Sequence, residues 1–275
     1  MIFDCLLQAP TFIINLERSP ERLKKSKQYI TNAGFQKIIP WKATDAKKED
    51  LKNVWMELLG EEPNISPFFK DFQIFPYSVG CLLSHLRLWK YIIQENIELA
   101  VVFEDDVLFH SDWDKLAPKF WAETPTDFDI LYLGSNPEAN YNGVKLIDRI
   151  PVMCTHAYVL TTNGALRLLQ SITTHSLGYY ALDGMLFDIM LNILMKELVD
   201  DYLETTEEYR NYIYQLVKIR TNTFTSITHR NIVLKNFTSF KWYIWNAITY
   251  RQKIEGRSIG LVFQDLDLES TICNS

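Results

Sequence analysis

The chain has 275 residues, 47% of them hydrophobic, enough to bury a large core and between one big domain and two in size. Its net charge of −6 and pI near 5.5 argue against a nucleic-acid binder that works through a basic surface. Cys5, Cys81, Cys154 and Cys273 are scattered, with no CxxC and no Cys/His pair at zinc spacing, so buried or free thiols in a reducing compartment are expected.

The first residues show no basic segment followed by a long apolar one, so no signal peptide is read. No apolar run approaches the ~20 residues of a spanning helix. The expectation is a cytoplasmic protein, at most peripheral to a membrane. Thr11 to Leu16 reads as a first buried strand. Ser19 is a plausible helix cap and Pro20 suits the first turn of a helix that runs to Ala33 and stops at Gly34. A strand, a short turn and a helix start form a common anion site in α/β proteins. Arg18 and Arg22 are suited to that role, although both could be ordinary solvated charges.

Phe35 to Trp41 reads as a second strand, and residues 45–62 as helical. Residues 63–77, with three prolines and five aromatics, read as an irregular loop. Ser78 to Asn96 carries the strongest helical pattern. Val79, Leu82, Leu83, Leu86, Trp89 and Ile93 form one stripe, and Cys81, His85, Leu88 and Ile92 an adjacent one. That pattern buries His85.

The strand expected over 98–107 runs apolar residues straight into Glu104-Asp105-Asp106. With i and i+2 on one face, Glu104 and Asp106 point the same way. Two carboxylates 4 Å apart repel by roughly 1 kcal/mol in water and about 4 at a protein-like effective dielectric. A cation relieves that repulsion, and oxygen-only ligands suit Mn²⁺ or Mg²⁺. An acidic turn facing solvent is the plainer alternative for the tripeptide alone.

Further elements are expected at 112–122 (helix), Phe128 to Leu133 (strand), 135–150 (loop or hairpin turning at Asn142-Gly143), His156 to Thr161 (strand) and Asn163 to Ser171 (helix). Helices are also expected from Asp183-Gly184 and over 205–219. Short strands are read at Phe224 to Ile227 and Gly260 to Phe263. Residues 235–253, aromatic and basic, are read as helical, for core packing or a membrane-surface contact. The alternation predicts an α/β fold with a mainly parallel sheet.

Five motifs occur in order: FIINLERSPER, GCLLSHLRLWK, VVFEDDV, THAYVLTTNGALRLL and ALDGML. GLVFQDLDLESTI at the tail adds a weaker match. Together they resemble glycosyltransferase family 25, the lipooligosaccharide sugar transferases and procollagen galactosyltransferases. The resemblance implies a GT-A fold, a Rossmann-like mixed and mainly parallel sheet flanked by helices, with a helical C-terminal portion. It implies one domain over 1–275, with a nucleotide-sugar half (11–134) and an acceptor half (135–275).

It further implies an inverting transfer of a hexose, galactose or glucose, from a UDP-sugar to a hydroxyl of a glycan or hydroxylysine-type acceptor. Glu104 and Asp106 would hold Mn²⁺ (or Mg²⁺), and Asp105 would lie near the donor sugar. Asn15, Leu16, Arg18 and Arg22 would line the nucleotide pocket, with Ser84 and His85 facing the donor. Asp183 would be the catalytic base, with Asp188 in reserve, and Gln264 and Ser270 would close over the donor. In place of the acid many members carry before Gly-Cys, this chain has Tyr77-Ser78-Val79. A non-catalytic nucleotide-sugar or glycan-binding module is the alternative. A phosphoesterase is disfavoured by the lack of a second carboxylate cluster with His spacing.

Overall fold

The computed structural model describes residues 3–60, 76–134, 145–148, 155–173, 181–187, 189, 190, 193, 240–246 and 249–251. Within them lie helices α1 (Phe3–Gln8), α2 (Pro20–Asn32), α3 (Leu51–Leu59), α4 (Pro76–Gln94), α5 (Trp113–Glu123) and α6 (Thr162–Thr173). The strands are β1 (Pro10–Asn15), β2 (Lys37–Lys42), β3 (Leu99–Glu104), β4 (Val107–Phe109), β5 (Ile130–Tyr132), β6 (Lys145–Asp148), β7 (Ala157–Thr161), β8 (Trp242–Asn246) and β9 (Thr249–Arg251).

Seven strands form one sheet in the order β2-β1-β3-β7-β5-β8-β6. β2, β1, β3, β5 and β8 run one way, and β7 and β6 run against them. The fold is therefore α/β with a mixed, mostly parallel sheet, as expected. β4 and β9 pair separately as a two-stranded antiparallel ribbon.

The period of two along each strand builds a core on each face of the sheet. Phe12, Ile14, Ala100, Val102, Tyr158 and Leu160 face α3, α4 and α6. Ile13, Val101, Phe103, Ala157 and Val159 face the opposite way, against α1, α2 and α5. Burying each large apolar side chain contributes roughly 1.5–3 kcal/mol. α4 carries two apolar stripes, so it sinks into its layer with Leu83, Leu86, Leu88 and Trp89 fully enclosed.

Gly34 and Gly164 each meet a geometric need. Gly34 ends α2 at φ +96°, a left-handed conformation that L side chains adopt at a cost. At Gly164 a Cβ would lie 2.1 Å from the Asp129 carbonyl oxygen, so α6 can approach the start of β5 only without one.

Three expectations are corrected. The strand expected over 98–107 ends at Glu104, and Asp105-Asp106 form a turn before β4. The strand pleat therefore does not place Glu104 and Asp106 together; the turn does. The helix expected over 235–253, and with it a helical C-terminal portion there, is replaced by β8 and β9. Trp242, Tyr243, Ile244 and Trp245 are aromatic or β-branched and prefer a pleated surface, and β8 fills the gap between β5 and β6. The helix expected over 45–62 narrows to α3, because Asp50 caps it by accepting from the Lys52 and Asn53 N–H groups. The expectations at 63–75, Asn142-Gly143, 205–219, 224–227 and 260–263, together with Asp188, Gln264, Ser270, Cys154 and Cys273, lie outside the described residues.

Candidate functional site

Glu104 is the last residue of β3 and continues the Ala100–Val102 row, so it points toward α4. Its backbone N–H donates to the His156 carbonyl at 2.8 Å, which extends the β3–β7 pairing to the strand's end. Thr155 Oγ1 donates to Glu104 Oε1 at 3.0 Å, and His85 Nε2 lies 3.6 Å from the same oxygen.

His85 is itself held from behind. Trp89 Nε1 donates to the Tyr158 hydroxyl at 2.9 Å, and that hydroxyl lies 2.8 Å from His85 Nδ1. Tyr158 has one proton to give, and its other contact is a donor. Donating that proton to Nδ1 would use the hydroxyl both ways, and the ring's Nε2 faces Glu104. Trp89, Tyr158, His85 and Glu104 form one chain of groups running from the core to the sheet edge.

The other two acids are held from the opposite side. Asn15, at the end of β1, donates to Asp105 Oδ2 at 2.6 Å and to the Ser19 carbonyl at 3.1 Å. Arg22, in the first turn of α2, pairs with Asp105 and reaches Asp106 Oδ2 at 3.3 Å. Arg251, from β9, donates through Nε to Asp106 Oδ2 at 3.1 Å and through a terminal nitrogen to Glu104. Asp106 Oδ1 is buried and has no hydrogen-bond partner among the described residues.

The electrostatics follow from burial and neighbours. Burial raises the Glu104 carboxyl, but Arg251 and His85 outweigh it and hold the group well below the usual carboxylate range. Asp106 goes the other way: burial first, then the Glu104 charge, push it up to about 6 against the pull of Arg251 and Arg22. Asp183, in the helical stretch 182–187, is raised by burial and then by Glu104. That places it within electrostatic reach of the acidic edge. His156 is lowered to about 4 by burial, against the Glu104 charge.

Of the residues singled out in sequence, Asn15, Arg22, His85, Glu104, Asp105 and Asp106 come together directly, and Asp183 faces the same charge. Arg18 pairs with Asp45, beyond the end of β2, and remains 32% exposed. Leu16 is half-buried against the α4-side core, and its carbonyl closes the turn by accepting from Ser19 N–H at 2.7 Å. Ser84 is buried and fully engaged: it donates to the Gly80 carbonyl at 2.6 Å and accepts from Thr44 N–H at 2.8 Å. It ties α4 to the segment that carries Asp45, one step back from the acids.

Sequence reasoning missed Arg251, Thr155, Tyr158 and Asp45. Thr155 and Tyr158 sit inside the THAYVLTT motif and were legible there. Nothing local marks Arg251. Cys81, His85 and Glu104 also place one ligating atom each within 4.8 Å of one another. A metal there needs a thiolate, and burial followed by the Glu104 and Asp183 charges pushes the Cys81 thiol well up.

The profile of glycosyltransferase family 25, described as LPS biosynthesis protein, matches residues 8–149, and the chain belongs to this family. Relatives include the "Probable inactive glycosyltransferase 25 family member 3" of Bos taurus. It is 28% identical over 179 residues, covering 58% of this chain and 28% of that protein. "Procollagen galactosyltransferase 1-A" of Xenopus laevis is 28% identical over 179 residues, with 58% and 28% covered. The chain thus spans under a third of the length of these relatives. Among solved structures, mouse xyloside xylosyltransferase 1 aligns at a TM-score of 0.39 and 10% identity, covering 69% of this chain and 83% of that one. No helix among the described residues is long and apolar enough to cross a membrane.

Proposed function

We propose that the chain is an active, metal-dependent, inverting hexosyltransferase of the GT-A type, taking a UDP-sugar as donor and a glycan or hydroxylated protein as acceptor. The observation that carries this is the pairing of Glu104 and Asp106 at one sheet edge, with Asp106 Oδ1 buried and open. Hard oxygen donors with one buried lone pair to fill suit Mn²⁺ or Mg²⁺. Glu104 and Asp106 would hold the ion, and when bound it would neutralise charge on the departing UDP.

The protein's own groups do the rest. Arg22, 26% exposed, is placed to meet a diphosphate next to Asp105. Thr155 keeps the Glu104 carboxylate oriented through its 3.0 Å hydrogen bond, with His85 Nε2 beside the same oxygen at 3.6 Å. Asp183 acts as base: its raised pKa makes it a better proton acceptor than an ordinary carboxylate. As the acceptor oxygen bonds to the anomeric carbon and the bond to UDP breaks, the hydroxyl proton passes to the Asp183 carboxylate. The names of relatives such as procollagen galactosyltransferase favour UDP-galactose as the first donor to try.

A thermal-shift panel of nucleotide sugars with and without Mn²⁺ tests the reading. A donor that binds the native state raises Tm by mass action, about 2.7 kcal/mol at a hundredfold over Kd. The expected result is a rise with a UDP-sugar that grows when Mn²⁺ is added. Indifference to every UDP-sugar would refute the reading. Relatives named as inactive favour a second one, a domain that binds donor without turnover. Mn²⁺-dependent hydrolysis of the bound donor to UDP and free sugar rules that out.

A further inference from the structure

Arg251 is the most exposed member of the acidic edge, at 41%, against 13% for Glu104 and 3% for Asp106. It ends a three-residue strand paired with β4. From there its guanidinium takes one oxygen of Glu104 and one of Asp106.

Resting on the metal reading above, we propose that Arg251 is a built-in counter-ion. It pairs with the same two carboxylates that would hold the divalent cation, so guanidinium and ion compete for them. Geometry supplies the first argument. One planar fork bridges the two carboxylates that would ligate the ion, and it consumes an oxygen of each.

Charge supplies the second. Three carboxylates, Glu104, Asp105 and Asp106, face two guanidiniums, Arg22 and Arg251, which leaves one negative charge. Counting only the groups in direct contact, a divalent ion added with Arg251 in place would leave one positive charge in excess. With Arg251 released, the same ion and Arg22 balance the three acids. Uncompensated charge around a carboxylate as buried as Asp106 is costly. The third argument is exposure: 41% of the Arg251 side chain meets solvent, the largest share of any group in the cluster.

The test is Mn²⁺ affinity of the full chain without nucleotide, read from the free-ion signal by electron paramagnetic resonance. Arg251→Gln should bind Mn²⁺ at least tenfold more tightly than the wild type, and Arg251→Lys, which keeps a charge, within threefold of it. Equal or weaker binding by Arg251→Gln overturns the proposal and leaves the metal reading standing. No Mn²⁺ binding by either protein, even with UDP, overturns both.

A second readout needs no substitution. In the wild type the Arg251 side-chain N–H, held by Asp106, should exchange slowly with water and lose that protection as Mg²⁺ is added. Protection that persists at saturating Mg²⁺ overturns the proposal.

Discussion

Buried acids meet arginines at both ends of the sheet, and the two clusters are built differently. Asp129 precedes β5, at the end opposite the tip of β3, because β3 and β5 run the same way. Its Oδ2 accepts from Arg167 at 2.9 Å and from Lys241 N–H at 2.8 Å. There one carboxylate meets one guanidinium and a backbone donor, and the pair pins β5, α6 and the entry to β8 together. Among the described residues, three carboxylates crowd around two guanidiniums at the tip of β3, and a buried oxygen of Asp106 has no hydrogen-bond partner. The balanced cluster is a fastener. The unbalanced one keeps a fold-imposed repulsion, and on the reading proposed above a bound cation would relieve it.

The sharpest way to break that contrast is to neutralise one acid at each end. Glu104→Gln should lower kcat/KM for sugar transfer at least a hundredfold, the scale of losing one electrostatic contact to developing charge, and change Tm little. Asp129→Ala should do the reverse. It removes the acceptor that Arg167 and the Lys241 N–H share, so urea unfolding should show a loss of about 1–3 kcal/mol, while the folded fraction keeps its specific activity. If Glu104→Gln destabilised the chain more than Asp129→Ala did, the acidic edge would be structural after all.

The next effect is acid sensitivity. His156 titrates near pH 4 in the fold, below its ordinary value. Its contribution is therefore complete above pH ~6.5 and is lost as pH falls toward 4. Asp106, raised to about 6, opposes it: harder to ionise in the fold, it favours the folded state at low pH. His156→Gln isolates the histidine. Between pH 7 and pH 5 the variant should lose about 2 kcal/mol less stability than the wild type, by the 1.36 kcal/mol per pKa unit relation, read by denaturant titration. An equal loss in both proteins would show that His156 does not resist protonation. The smallest effect is at the surface: removing Asp112, paired with Lys115 at 2.8 Å in open solvent, should leave Tm unchanged within error.

Much of the layout from β1 to α6 was legible. β1, β3, β5 and β7 are apolar runs, and α2, α4 and α6 repeat every three to four residues, so these elements can be read from their own residues. Glu104, Asp106, Asn15, Arg22 and His85 were legible too, through residue type and motif. Ser84 shows where adjacency misleads: it neighbours His85 in sequence, yet its hydroxyl is spent on Gly80 and Thr44. The segment around Trp242 misled for another reason. Its aromatic and basic residues carry no clear period, and its strand state depends on two partners, β5 and β6, that lie far away in sequence.

Composition and local pattern indicated an acidic α/β protein with a carboxylate cluster at the end of a core strand, and the resemblance of five ordered motifs indicated its family. What its residues could not reveal in isolation is how that cluster is neutralised. Asp106 and Arg251 lie 145 positions apart. A carboxylate's charge is written in its own codon, but the cation that faces it is chosen by which strand ends the chain brings side by side, and that is a property of the whole sheet.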